Sequence, residues 1–453
     1  MTSSSTATEI STHRLEAHEY QQNFADLHPP LNAHQASVEA SRCYFCYDAP
    51  CMTACPTSID IPLFIRQIMT GNTTGAARTI FAENIMGGMC ARVCPTETLC
   101  EEACVRNSCE EKPVTIGFLQ RFATDAYMET AQHPFKRAPE TGKTVAVVGG
   151  GPAGMSCAHR LAALGHSVTV FEAREKSGGL NEFGIASYKS TENFAAREID
   201  FILSIGGIEV KNGQALGDGL ELDALRQNYD AVFLALGQGG SNNLGLDGED
   251  VDGVINAIDY IADLRQTPDL GALPVGRRIV VIGGGMTAID IAVQTKLLGA
   301  DDVVIAYRRG QQQMNASRYE QELAQTRGVK IVHWAKPVEL NSASGNVQAV
   351  RFERTSLDEG GKLVGTGETF ELAADMVFKA IGQVLLTEPI ANSAGPELTR
   401  GRIMVNDERK TSLNNVWAGG DCIDGGEDLT VVAVEDGKIA ATSIDLYLKS
   451  NAT

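Results

Sequence analysis

The chain is short of several things that would send it elsewhere. No apolar run reaches 18 residues, so no segment is expected to cross a bilayer as a helix. Basic residues are outnumbered, 38 against 57 acids, and the net charge of -19 argues against nucleic acid and anionic membrane surfaces as partners. The first 40 residues lack the basic start and apolar stretch of a signal peptide, which points to a cytoplasmic location. Cysteine is nearly absent outside one segment: nine of 11 fall between Cys43 and Cys109. With no export signal and thiols so concentrated, a disulfide framework is disfavoured. What the chain does have is a 43% hydrophobic fraction and 453 residues, enough for two or three packed domains.

Eight of the clustered cysteines form two runs. The first is Cys43-x2-Cys46-x4-Cys51-x3-Cys55, followed by Pro56. The second is Cys90-x3-Cys94, followed by Pro95, then x5-Cys100-x3-Cys104. Close thiolate spacing with a Cys-Pro ending is the pattern of iron–sulfur ligation, and such clusters move single electrons. Two structural zinc sites are the alternative, which would leave the chain a non-catalytic zinc-stabilised scaffold. Residues 1–35 read as a flexible lead-in, and 36–140 as helices laid around the cysteine loops. Asp60-Ile61-Pro62 suits a helix start, with Leu63, Ile65, Ile68 and Met69 giving an apolar face. A later helix follows Thr115, with Ile116, Leu119, Phe122, Ala123 and Tyr127 on one side.

From Lys143 the pattern changes to short apolar strands ending in glycine clusters. Gly149-x-Gly151-x2-Gly154, with Ala153 inside it, follows the strand Thr144–Val148 and opens a helix, which is the setting of a dinucleotide loop. Glu172 ends the next strand, where a carboxylate accepts from ribose hydroxyls. Gly178-Gly179-Leu180 follows, and Gly419-Gly420-Asp421 precedes a helix over Thr430–Leu448. These distant partners favour FAD for the first site. A second loop, Gly283-Gly284-Gly285-Met286-Thr287-Ala288, follows Arg278–Ile282. Here Arg308 and Arg309 stand where the acid would be, and by charge alone this favours NADPH. The strand ends carrying Gly237 and Gly382 read as crossings between two nucleotide domains, one over 141–240 and 385–453 (FAD), the other over 241–384 (NAD(P)).

With these motifs the chain resembles the family of glutamate synthase small subunits and dihydropyrimidine dehydrogenases, from about residue 40 to 450. The longer gap Cys94-Pro-Thr-Glu-Thr-Leu-Cys100 and the stretch Thr115–Thr124 are similar to the dihydropyrimidine dehydrogenase branch. The resemblance implies an α/β chain: an N-terminal α-helical iron–sulfur domain followed by two nested Rossmann-like nucleotide-binding domains. It implies two [4Fe-4S] clusters, one on Cys43, Cys46, Cys51 and Cys104, the other on Cys55, Cys94, Cys100 and Gln120. On spacing alone, Cys90 is the candidate and Gln120 reads as a surface residue; Cys90 and Cys109 are then left over. Asn315 stands where NADPH-using members carry a further arginine, which favours NADH, with NADPH still open. The chain carries no barrel segment, so the resemblance further implies a separate FMN-containing catalytic subunit, a hetero-oligomer, and reduction of uracil or thymine there. A glutamate synthase small subunit or another NAD(P)H:acceptor oxidoreductase of ferredoxin type is the alternative.

Overall fold

The computed structural model describes residues 10–390 and 395–450. The chain divides into two compact units, His28–Glu182 with Glu192–Gly240 and Val384–Thr453, and Met1–Leu27 with Phe183–Thr191 and Ser241–Gln383.

The larger unit begins with helices. Asp60 caps the helix Ile61–Met69 by accepting from the Leu63 amide, and Pro62 sits in its first turn. The buried face is Ile61, Phe64, Ile65 and Ile68, a stripe at helical spacing. This corrects the expected face: Leu63 and Met69 lie off the stripe and are exposed. The helices Thr73–Glu83 and Gly87–Val93 follow, and Ile116–Met128 buries Ile116, Leu119, Ala123 and Tyr127 as its spacing predicts, with Phe122 of the expected face only half-buried. Five parallel strands then build a sheet in the order Val416–Ala418, Ala231–Leu234, Thr144–Val148, Ser167–Glu172, Ile208–Asn212. The strands Val416–Ala418, Ala231–Leu234 and, from Val145 on, Thr144–Val148 are apolar and buried on both faces, whereas the edge strand Ile208–Asn212 exposes Glu209, Lys211 and Asn212. The helices Pro152–Ala163 and Thr430–Ser450 pack in close contact because Gly437 has no side chain: a Cβ there would lie 2.2 Å from the Ala153 carbonyl oxygen.

The smaller unit has its own parallel sheet, ordered Val254–Asn256, Met376–Ala380, Arg278–Gly283, Asp302–Tyr307, Lys330–His333. A three-stranded antiparallel sheet, Ala335–Ala343, Asn346–Leu357 and Leu363–Ala373, is added to it. Two boundaries differ from expectation. Residues 1–9 of the expected lead-in lie outside the described residues, but the rest of it is not a loose arm. The helix Ala17–Asn23 packs Tyr20 into the core of the smaller unit, and Ser11 bridges to Val275. The segment Phe183–Thr191, expected in the FAD domain, also belongs to the smaller unit. Lys189 fixes it there, with Nζ 2.7 Å from Asp290 and 2.8 Å from Glu320, all three buried. Breaking such a buried pair from one side leaves a charge without compensation.

Candidate cofactor sites

The cysteines gather in two groups that cut across the two runs. Cys43, Cys46 and Cys51 line one cavity together with Cys104, which arrives from the second run. Burial pushes the Cys51 thiol up to about 12, and the neighbouring Cys104 and Cys43 push it the same way. Cys43 is raised for the same reasons, burial first and then Cys104 and Cys46. In the second group Cys94 is raised first by its hydrogen bond with Cys90, then by burial, Cys100 and Cys55. Cys100 is raised by burial, then by Glu101, Cys55 and Cys51. Thiols that raise one another stay protonated until a cation joins them, and iron supplies that charge. The ligands of the first group ring one cavity. Four thiols around one cavity suit a cluster held by protein thiolates.

Gln120 is buried, 8% exposed, which corrects the surface position that spacing gives it. Its side-chain amide donates to the Gly87 carbonyl at 2.7 Å, leaving the amide oxygen as the available donor atom for iron. Cys90 lies beside Cys94 in the same region, while Cys109 is exposed on the helix Val105–Glu110.

The first dinucleotide loop is built around missing side chains. A Cβ on Gly149 would sit 2.2 Å from the Ala235 carbonyl oxygen, and one on Gly154 would sit 1.9 Å from that of Gly149. Glu172 uses its two oxygens on the Gly150 and Arg174 amides, at 2.7 and 2.8 Å. Each oxygen keeps a lone pair for a ribose hydroxyl. Gly178 donates to the Gly150 carbonyl at 2.8 Å, and Gly179 lies so close to Gly151 that a Cβ would meet its Cα at 2.8 Å. Leu180 opens the short helix that follows. Gly420 abuts Ala153, where a Cβ would come within 3.0 Å of the alanine methyl. The structure therefore brings Gly149, Gly151, Ala153, Gly154, Glu172, Gly179, Leu180, Gly419, Gly420 and Asp421 into one part of the larger unit, with Gly237 just beyond Ala235.

Two orphaned polar groups test whether a dinucleotide fits. Ser177 Oγ is buried beside Gly150 with no hydrogen-bond partner. The Asp421 carboxyl has none among the described residues, and burial, with Asp428 adding, pushes it up to about 6. Both fit a polar ligand along the glycine loop. Sequence reasoning missed Asp436, which is 1% exposed and accepts from the Gly420 amide at 2.8 Å and from Arg409 Nε at 2.6 Å. An acid inside an alanine- and valine-rich helix was its only signal.

In the second loop a Cβ on Gly283 would lie 2.1 Å from the Ala380 carbonyl oxygen, and one on Gly284 would enter the Tyr307 ring at 2.4 Å. Gly285 faces open space, and the helix Met286–Leu297 begins there with Thr287 and buried Ala288 in its first turn. Arg308 is exposed and Arg309 half-buried, and neither guanidinium has a protein partner among the described residues. Gly382 lies just past the strand Met376–Ala380.

Two family models match: "Dihydropyrimidine dehydrogenase domain II, 4Fe-4S cluster" over residues 20–132 and "Pyridine nucleotide-disulphide oxidoreductase" over 143–437. The NAD-dependent dihydropyrimidine dehydrogenase subunit PreT of Salmonella typhimurium is 35% identical over 431 residues, 95% of this chain and 98% of its own. The glutamate synthase [NADPH] small chain of Escherichia coli is 33% identical over 448 residues, 94% of each. Among solved structures, Mycobacterium tuberculosis FprA in complex with NADPH shares the fold with a TM-score of 0.57 at 20% identity, over 69% of this chain and 85% of that one. T. acidophilum thioredoxin reductase does so with a TM-score of 0.53 at 21% identity, over 68% and 98%. Among the described residues no helix is long and apolar enough to cross a membrane.

Proposed function

We propose a function from the premise that this chain belongs to the glutamate synthase small-subunit-like family, which includes the dihydropyrimidine dehydrogenase subunits. The chain is an NAD(P)H-dependent oxidoreductase subunit of that type, with a flavin and iron–sulfur. Our finer reading is an electron-input subunit. It oxidises NADH, holds FAD at the Gly149–Gly154 loop and two [4Fe-4S] clusters among the cysteine runs, and serves an FMN-containing dihydropyrimidine dehydrogenase catalytic subunit in a cytoplasmic hetero-oligomer. That partner reduces uracil or thymine to the 5,6-dihydropyrimidine.

The observation that carries this reading is the crossed grouping of Cys104 with Cys43, Cys46 and Cys51. It is the ligand division implied by resemblance to the dihydropyrimidine dehydrogenase branch. When bound, a flavin accepts two electrons together and releases them singly, and clusters carry single electrons. The chain's own residues bind and orient. Glu172 fixes the glycine loop and offers its remaining lone pairs to a ribose. Asp421 and Ser177 present unpaired polar atoms to the rest of the dinucleotide. Cys43, Cys46, Cys51 and Cys104 would hold one cluster; Cys55, Cys94, Cys100 and Gln120 would hold the other. The nicotinamide nucleotide takes the Gly283–Ala288 loop. NADPH is the second reading there, favoured by the two unpartnered arginines.

Anaerobic NADH oxidation by the complex purified from its native host, before and after adding uracil, tests this. Uracil-dependent oxidation supports the pyrimidine reaction. NADH-reducible flavin with no response to uracil would move the chain to another acceptor, a glutamate synthase large subunit or a ferredoxin. A colourless protein without iron would return the zinc-scaffold reading.

A further inference from the structure

The smaller unit carries a three-stranded antiparallel sheet beside its parallel one. Its antiparallel sheet reaches back to the end of the strand Asp302–Tyr307 and fixes the two residues after it. Thr355, on the middle antiparallel strand and 5% exposed, donates from Oγ1 to the Arg308 carbonyl at 2.8 Å. The Trp334 amide donates to the Arg309 carbonyl at 3.1 Å, and the Thr355 amide donates to the Trp334 carbonyl at 3.1 Å. Trp334 has a φ of +60°, a left-handed conformation that a bulky residue rarely adopts. Its indole packs on Gly310 so closely that a Cβ there would fall 2.7 Å from Cζ2. A strained residue thus closes a hydrogen-bonded loop around the backbone of Arg308, Arg309 and Gly310.

That bracing acts on two side chains that nothing else holds. Both guanidiniums lack a protein partner among the described residues. A fixed backbone under free, always-charged forks lowers the ordering cost of gripping a phosphate dianion. It adds nothing for a ribose with a bare 2′-hydroxyl. We propose that Thr355 and Trp334 are positioning residues for the 2′ position of the nucleotide: they preorganise Arg308 and Arg309 for a 2′-phosphate, so that the chain accepts NADPH as well as NADH. This rests on the reading that the Gly283–Ala288 loop takes a nicotinamide nucleotide.

The test is steady-state oxidation of NADH and of NADPH by the holoprotein with ferricyanide as acceptor, for the natural chain, Thr355→Val and Thr355→Ser. The natural chain oxidises both nucleotides. Thr355→Val, which removes one hydroxyl–carbonyl bond, raises KM for NADPH about fivefold with kcat kept, the change expected for a bond worth about 1 kcal/mol. KM for NADH stays within about twofold by the same reasoning. Thr355→Ser restores the natural values. Oxidation of NADH alone, or equal shifts in both KM values, overturns the proposal and leaves the electron-input reading intact. Oxidation of neither nucleotide strikes at the electron-input reading itself. Should Thr355→Val fold poorly, Thr355→Ala, which removes the same hydroxyl, takes its place with the same expectation.

Discussion

Glu198 shows how one buried side chain ties pH to stability. It is 1% exposed, and its Oε1 accepts from the Met89 amide at 2.9 Å at the start of the helix bearing Cys90. Burial pushes its carboxyl up to about 8, against the pull of the Met89 amide and Arg92. The folded chain therefore holds a proton that the unfolded chain has released. Its contribution to stability is complete below the ordinary carboxyl pKa and is lost as pH rises through about 8. Glu198→Gln keeps the acceptor for Met89 and removes the titration. Its melting temperature should exceed that of the natural chain at pH 8, with the two curves converging toward pH 5. Parallel melting curves across that range would show that Glu198 ionises as an ordinary surface acid. At the flavin loop, Glu172→Ala should lose most of the bound FAD, measured after desalting. Full retention counts against the first-site assignment.

At the scale of elements, positions within the two glycine loops differ in what a side chain would meet. Gly154 is the third small residue of its loop, where the second loop carries Ala288, and Gly285 is the second glycine of the other, the counterpart of Gly151; their surroundings differ. A Cβ on Gly154 would fall 1.9 Å from the Gly149 carbonyl oxygen, whereas one on Gly285 meets nothing within 4 Å. Gly285 also has a φ of -97°, which alanine adopts freely. Gly154→Ala should therefore fold poorly or lose flavin. Gly285→Ala should keep its fold by circular dichroism and weaken only nucleotide binding, because its open side is where a pyrophosphate would approach. These loops were legible in the sequence because glycine spacing and strand–helix context repeat the backbone requirement directly. The helix faces were less so. Asp60-Ile61-Pro62 gave the start of its helix correctly, but the stripe ran through Phe64 and left Leu63 in solvent. Hydrophobicity alone does not say which of two adjacent apolar residues turns inward. Gln120 and Asp436 were hidden for a related reason: a buried polar group is recognised by its partners, the Gly87 carbonyl and the Gly420 amide, and partners distant in sequence leave no local pattern.

At the scale of the molecule, chain order and spatial order part company. Cys104 lies 53 residues beyond Cys51 yet lines the same cavity, so each cysteine run contributes to both groups. Under the proposed ligation Cys104→Ser should remove one cluster and spare the other, lowering bound iron from about eight atoms per chain to about four. Loss of nearly all iron would mean that the groups do not form independently. The same disagreement appears at the front of the chain. Residues 10–27 precede the cysteine region, but Tyr20 is 6% exposed within the core of the smaller unit. Arg14 Nε donates to the Val275 carbonyl at 3.0 Å, and Asn23 Nδ2 to that of Leu297 at 2.9 Å. Polar composition suggests a loose arm because half of these residues are exposed; Tyr20, with Ile10, Leu15, Phe24 and Leu27 packed around the same core, anchors it. Tyr20→Ala empties that anchor, and truncating a buried aromatic costs about 3 kcal/mol. The loss should fall on the nucleotide unit, as faster amide exchange over the strand Arg278–Gly283 and the helix Met286–Leu297. Exchange over Ile61–Met69 and the iron content should not move. Uniformly faster exchange would instead mean that the two units unfold as one, and that the leading helix stabilises the whole chain rather than the unit it packs on.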